Sequence, residues 1–426
     1  MKNSLNIKIE KKPTTNKKIS FNLIIFIFLI LGVFVKNFEV LIPFQYYLTL
    51  IALPLFFLKI KKISLKKSMI LLCLIFLSII LIMKNEIFIS GDYKENINFI
   101  IYYFSLIFSI YIITNHLISN EYISLKLLTR TFIILNIVGL LGYIITLFSY
   151  NYDDIIQYWK YNVISRADIV NDFRSFIYGD SLLPRYNGFY IDPNRWAFCL
   201  LVQMIFIDHL YRNTATLNLV SKKILFILIF ISLLFTNSRA GIIAALVYYI
   251  LTRSKGKVLL SLLFLLISVI SYLGYNPELY DIIYDKITYG ISFSSTGNNL
   301  GDSRVRIDIW YNYLLHVFSD IYTFIMGVNM TLDPSTSMGI TPHNLYLYVL
   351  YQGGIILFTV CIIILLDTYI KSSKLSNYIK YGTISIIIMT FTEDYIALPI
   401  FWFYIFFISA LYKHKIQQMQ TNEGLQ

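Results

Sequence analysis

Four stretches of the chain carry side chains suited to handling a phosphate and a hydroxyl group. Arg185 opens "RYNGFYIDPN", Arg239 sits in "NSRAG", Arg304 and Arg306 fall in "SRVRIDIW", and His343 with Asn344 begins "HNLYLYVLYQGG". A guanidinium pairs bidentately with phosphate oxygens, and a helix N-terminus adds N–H donors and a favourable dipole for the same anion. The imidazole of histidine titrates near neutral pH, so it can take a proton from an attacking hydroxyl. The arginines therefore suggest an anion site and His343 a general base. Each also has a plainer reading. An arginine at a helix end anchors by snorkelling, Arg304 can pair with Asp308 at i, i+4, and Asn344 can simply cap the helix that follows. Positions 304 and 306 are about 200° apart on a helix, so both cannot face one ligand.

The elements that hold these residues are apolar blocks. The 426 residues are 57% hydrophobic, 17% aromatic and only 14% charged, with a mean hydropathy of +0.66. The blocks have the length that crosses a hydrocarbon core of about 30 Å as a helix. Spans are expected at 20–35, 39–58, 69–83, 97–114, 131–149, 195–211, 223–236, 240–252, 258–275, 344–370, 378–393 and 397–412. The fold class is thus an all-α polytopic membrane protein of about 12 transmembrane helices. The least secure division is 223–252, where "TNSRAG" separates two short halves and one long tilted helix is the rival.

Charge sets the orientation. With the N-terminus inside, the internal segments 1–19, 59–68, 115–130, 212–223, 253–257, 371–380 and 413–426 carry most of the lysines and arginines, and the external ones most of the acids. The formal charge of +12 is therefore topological and implies no nucleic acid. The lysine-rich start precedes an uncleaved first span. Residues 1–149 form an N-terminal bundle of about five spans, and 150–194 an external loop. Residues 195–275 hold spans six to nine, and 276–343 a second external loop. Residues 344–412 hold the last three spans, and 413–426 a cytoplasmic tail. Within the second loop, 303–318 reads as an amphipathic helix with Asp302 as N-cap and a stripe of Val305, Ile309, Trp310, Tyr313 and Val317. Such a helix lies on the membrane surface or over a cavity. Cys73, Cys199 and Cys361 all lie inside apolar blocks and give neither a disulfide framework nor a metal site. No Asp-x-Asp motif is present, "YDD" at 152–154 being a poor substitute, and no cofactor is implied.

The order and sidedness of "RYNGFYIDPN", "NSRAG", "SRVRIDIW", "MGVN" and "PHNLYLYVLYQGG" resemble the core of the O-antigen ligase/polymerase family over roughly residues 185–360. The resemblance implies a GT-C-like glycosyltransferase architecture with two large external loops. It also implies an undecaprenyl-pyrophosphate-linked glycan as substrate, membrane lipid around it and a chain-length regulator protein as a further partner. The expected place is the bacterial inner membrane, with both termini cytoplasmic and the active face periplasmic. By resemblance Arg239 and Arg306, with Arg304 beside it, hold the pyrophosphate, and His343 is the catalytic base. Arg185, Trp159 and Asn344 are expected at the substrate, the aromatic residues of loop 150–194 serving as a glycan platform. The ligase branch favours His-Asn, nine residues, then Gly-x-x-[Gly/Thr/Tyr]. Gly354 fits and Leu357 departs, which favours the polymerase branch. A ligase to lipid A-core is the alternative. A flippase or transporter is the other, disfavoured because the middles of the spans hold no charge.

Overall fold

The computed structural model describes residues 16–34, 39–40, 42–43, 51–52, 55, 106–118, 125–148, 186–190, 192–213, 219–236, 238–253, 303–328, 342–392 and 395–423. These are almost entirely helical. In chain order the helices are α1 (Asn16–Phe34), α2 (Leu106–Ile118), α3 (Leu125–Phe148), α4 (Pro193–Asn213), α5 (Leu219–Phe235), α6 (Arg239–Arg253), α7 (Ser303–Val317), α8 (Ile321–Met326), α9 (Leu345–Leu375), α10 (Asn377–Met389) and α11 (Pro399–Glu423). The exception to the all-α expectation is a small hairpin after α1, in which Glu39–Val40 pairs antiparallel with Ile42–Pro43. The expected spans 69–83 and 258–275 lie outside the described residues, as does most of 39–58.

Among the described residues two helices are long and apolar enough to cross a membrane, Leu128–Ile145 within α3 and the 31-residue α9. Leu23–Phe34 and Leu106–Ile118 are apolar but shorter. The segment 223–252 divides into two helices, α5 and α6, rather than one. Thr236 and Ser238 make the break. The Thr236 hydroxyl donates to the Leu233 carbonyl at 2.6 Å and accepts from Ser238 N at 3.2 Å, while Ser238 Oγ accepts from Gly241 N at 3.2 Å as the cap of α6. At the other end of the chain α11 runs on through most of the expected tail to Glu423, since nothing stops a helix before Gly424.

Large apolar side chains line the outside of the bundle as well as its core. Rows of large apolar side chains face outward, among them Ile134 and Leu141 on α3, Ile227 and Phe230 on α5, and Ile363 and Leu366 on α9. Polar groups meet inside. Asn136 Nδ2 of α3 donates to Gln203 Oε1 of α4 at 2.7 Å, and Ser232 of α5 donates to Asn136 Oδ1 at 3.4 Å. Thr383 of α10 and Tyr404 of α11 share a hydrogen bond of 2.9 Å. α4 is the central element, buried almost continuously from Trp196 to His209.

The helices pair so that the bundle has two chemically distinct ends. α4 and α10 are antiparallel: His209 Nδ1 lies 2.8 Å from Ser376 Oγ at one end, and Phe198 stacks on Tyr395 at 4.3 Å toward the other. Midway, Gly382 lies so close to Ile205 that an added Cβ would sit 2.5 Å from its side chain. Near the His209 end the buried Asp208 carboxylate accepts from Lys222 at 2.8 Å and from the Tyr248 hydroxyl at 3.2 Å, with Arg253 at 3.7 Å. This cluster fixes the beginning of α5 and the end of α6 to α4, so α5 and α6 form an antiparallel hairpin. Lys415 Nζ donates to the Lys374 carbonyl at 2.6 Å, closing α11 against α9. The opposite end collects the N-termini of α4, α6 and α9 with the C-termini of α3, α5 and α10. Three contacts assemble it: Ser238 Oγ donates to Asn194 Oδ1 at 2.8 Å, Leu345 N to Thr390 O at 3.0 Å, and Tyr186 N to Phe235 O at 2.9 Å.

Candidate functional site

His343 lies at the second of these ends, immediately before α9. Asn344 caps that helix, its Oδ1 accepting from Tyr346 N at 3.0 Å and Leu347 N at 3.2 Å. The cap requires extended backbone at Asn344, with φ −154° and ψ 116°. To enter it from Pro342, His343 adopts φ +45°, the one non-glycine among the described residues in the left-handed region. That conformation costs a side-chain-bearing residue about 1–3 kcal/mol and concentrates at functional positions. The first turn of α9 is held firmly around it. Besides the Leu345–Thr390 bond, the Thr390 hydroxyl donates to Tyr346 Oη at 2.9 Å. Asn344 was expected at the substrate. It is buried and its side-chain oxygen is committed to the cap, which leaves only the amide NH2 for a ligand.

The amphipathic helix docks on this turn. The indole N–H of Trp310 on α7 donates to the Pro342 carbonyl at 2.7 Å, one residue before His343. Tyr313 and Val317 of its apolar stripe are buried against Leu350 and Tyr351 of α9, the rings of Tyr313 and Tyr351 meeting edge to face at 4.7 Å. The expected stripe is therefore covered by protein along these positions. Only the backbone is described at positions 304 and 306, and the helical register separates them. Position 306 falls within about 40° of Trp310, Tyr313 and Val317, on the face that meets α9, whereas position 304 falls within about 20° of the exposed Tyr311 and Leu315.

A second contact locks the other side of this unit. α9 is interrupted at Gly353 and Gly354, and Gly354 has φ +63° with ψ −165°. Gly327, which ends α8, has φ +75° and ψ 176°. Both conformations are essentially confined to glycine. The two backbones touch: a Cβ on Gly354 would lie 2.3 Å from Ile325 O, and one on Gly327 2.5 Å from Gln352 O. Val328 N then donates to Tyr351 O at 2.7 Å, occupying a carbonyl that lies at the interruption of α9. Gly327 and Val328 of "MGVN" thus meet "YQGG" as one clasp.

Arg239 is the first residue of α6 and is exposed. Its preceding cap, Ser238, is tied to Asn194 in the first turn of α4. That turn is itself capped by Asp192, whose Oδ1 accepts from Asn194 N at 2.6 Å and Arg195 N at 3.3 Å, with Pro193 as the first helical residue. The N-terminal turns of α4 and α6 therefore lie side by side, at the same end as His343. Arg195, which the sequence does not distinguish from any helix-start arginine, adds a half-buried cation there. Its signal is the cap itself, since "DPNR" places the arginine in the first helical turn.

The "YNGFY" turn departs from expectation. The tyrosines of this part of loop 150–194 were expected to offer exposed stacking faces, yet residues 186–190 are all buried. Gly188 has φ +56° and presses its backbone onto Trp196, where a Cβ would lie 2.2 Å from the ring. Tyr186, Phe189 and Tyr190 gather around that tryptophan at centroid distances of 6.2, 5.5 and 6.4 Å, and Tyr190 donates its hydroxyl to the Val33 carbonyl of α1. They plug the bundle end and are not a platform. Trp159 and Arg185 lie outside the described residues. Cys199 and Cys361 are buried free thiols. Among the described residues no three His, Cys, Asp or Glu side chains cluster as a metal site. Comparison with family models, with curated proteins and with solved structures finds no match to this chain.

Proposed function

We propose that the chain is an integral membrane glycosyltransferase that polymerises undecaprenyl-pyrophosphate-linked oligosaccharide repeats on the outer face of the bacterial inner membrane. One observation carries the reading. His343, Arg239 and the docked α7 belong to one end of the bundle, while the lysine-bearing ends of α5, α9 and α11 belong to the other. That polarity is what a twelve-span protein with both termini inside requires under the positive-inside rule. The outward rows of isoleucine, leucine and phenylalanine and the inward asparagine, glutamine and threonine contacts support a lipid surround. The resemblance to the O-antigen ligase/polymerase family supplies the substrate class.

In this mechanism the pyrophosphate of the donor sits against Arg239 and Arg306, beside the N-terminal turns of α4 and α6, whose dipoles favour an anion. As the anomeric carbon–oxygen bond breaks, negative charge grows on the pyrophosphate, and these groups stabilise it more than they stabilise the bound donor. The acceptor sugar hydroxyl attacks the anomeric carbon from the opposite side and passes its proton to the His343 imidazole. The products are the lengthened lipid-linked glycan and free undecaprenyl pyrophosphate, with inversion at the anomeric centre. A ligase would differ only in the acceptor, lipid A-core in place of the next lipid-linked repeat.

Electrophoresis of surface polysaccharide from a deletion strain separates these. A single repeat retained on the lipid core identifies a polymerase, and bare core with accumulating lipid-linked polymer identifies a ligase. Normal polysaccharide in cells whose only copy carries His343→Ala or Arg239→Ala would rule out both.

A further inference from the structure

α7 and α8 carry a second apolar surface that no other described helix covers. With Tyr313 and Val317 buried against α9, the exposed side of the hairpin still presents Tyr311, Leu315, Phe318, Ile321 and Tyr322, of which Phe318 is 61% and Ile321 74% accessible. Tyr311 and Leu315 of α7 fall in one arc with Phe318, which follows the last residue of α7 and still donates its N–H to Leu314 O at 2.9 Å, since the three lie at i, i+4 and i+7. The polar arc is separate and holds the exposed Asn312 and His316. From Tyr311 onward the helix therefore has three faces, one for α9, one apolar and open, and one polar, with position 304 of the first turn at the head of the open face. A helix on a purely aqueous surface has no use for the second.

We propose that this open face is seated in the hydrocarbon–headgroup boundary of the outer leaflet, so that α7 and α8 form an interfacial anchor. The occupant argued for is bilayer lipid, on two grounds. The exposed surface is continuous with the outward row of α9: Ile325 on α8 and Ile356 on α9, both exposed, flank the backbone contact between Ile325 and Gly354, and Ile363, Leu366 and Ile370 carry the row on down α9. Its composition, with Tyr311, Phe318 and Tyr322 beside aliphatic groups, is that of a membrane interface, where amphipathic rings concentrate. Between Phe318 and Ile321 the turn holds exposed Ser319 and Asp320, and Asp320 caps α8 by accepting from Thr323 N at 2.8 Å. The clasp at Gly327–Gly354 and the Trp310–Pro342 bond then relay that depth to His343. The catalytic turn is fixed at the headgroup level, where a lipid-linked pyrophosphate lies. The inference rests on the membrane placement proposed above and is independent of the reaction.

The test is site-directed labelling of the full chain in nanodiscs of phosphatidylethanolamine and phosphatidylglycerol, after replacing Cys73, Cys199 and Cys361 by serine. A bimane probe is placed by Leu315→Cys, by Phe318→Cys, by Asn312→Cys and, as membrane reference, by Ile363→Cys. Quenching is read from lipids carrying a doxyl group either near the headgroup or at mid-chain, the stronger of the two being taken at each site, and from a water-soluble quencher. The expected result is lipid quenching at 315 and 318 comparable to that at 363 with little aqueous quenching, and the reverse at 312. Strong aqueous quenching at 315 and 318 with 363 still in lipid overturns the anchor and leaves the membrane reading standing. Protection at 315 and 318 from both quenchers also overturns it, because protein would then cover the face. Aqueous quenching at 363 overturns the membrane reading and the anchor with it.

Discussion

Replacing Gly354 by alanine should release α7 and α8 from α9 without unfolding the bundle. At φ +63° and ψ −165° an alanine costs about 1–3 kcal/mol in backbone strain. Its Cβ would also lie 2.3 Å from Ile325 O and 2.5 Å from Gly327 N. Both are backbone atoms, so no side chain can swing aside and the end of α8 must retreat. Retreat breaks the 2.7 Å bond from Val328 N to Tyr351 O, worth about 1 kcal/mol net. The sum is about 3 kcal/mol before any loss of packing at Tyr313 and Val317, or roughly a hundredfold in the local opening equilibrium. Hydrogen exchange read by mass spectrometry in nanodiscs measures it. Val328 should exchange roughly a hundredfold faster in Gly354→Ala, on the energies above, while amides of α4 and α10 keep their protection. Gly353→Ala should loosen Val328 less, because its φ of −127° suits alanine and its added Cβ would crowd Leu357 Cβ, at 2.5 Å, within α9 rather than the end of α8. Unchanged protection at Val328, or equal loosening of α4, would refute the reasoning.

Three further outcomes are expected. Trp310→Phe removes the indole N–H that donates to Pro342 but keeps the ring; its loss of about 1 kcal/mol should raise KM for the lipid-linked donor more than it lowers kcat, whereas His343→Ala should abolish kcat. Asp208→Asn leaves Lys222 and Arg253 without their buried counter-charge, and thermal unfolding in detergent should show destabilisation of about 3 kcal/mol. Asp320 is held below the usual carboxylate range by the Thr323 hydroxyl and then the Thr323 N–H. Its contribution to α8 is therefore complete above the ordinary carboxylate pKa and is lost as pH falls through the lowered one. Exchange at Thr323, corrected for intrinsic rate, should rise across that acid window in the wild type and stay flat in Asp320→Asn.

Much of the local structure is legible in the residues alone. Asp192 with Pro193 starts α4, Asn344 starts α9, and "TNSRAG" breaks 223–252, because caps and turns act on neighbours in sequence. The stripe of Tyr313 and Val317 is legible from period, and its role as packing surface follows. What covers that stripe is not, since α9 reaches it only through tertiary contact. The Gly327–Gly354 clasp is hidden for the same reason: each glycine alone reads as a turn or a helix flaw. The aromatic residues of "YNGFY" mislead because composition suits a sugar platform equally with a core, and only Trp196 decides between them. The left-handed backbone of His343 arises from the join of Pro342 to a capped helix, which no single residue announces.

If this end of the bundle transfers glycans from a lipid pyrophosphate with His343 as base, the chain should do so without other proteins. The most direct measurement uses the purified chain in nanodiscs, undecaprenyl-pyrophosphate-linked repeat units from the native strain and no nucleotide sugar. The expected result is a ladder of lengthened lipid-linked products with one undecaprenyl pyrophosphate released per bond formed, and neither from His343→Ala folded to the wild-type melting temperature. A ladder of undiminished rate from His343→Ala, or no product and no released pyrophosphate lipid from the wild type, would contradict it.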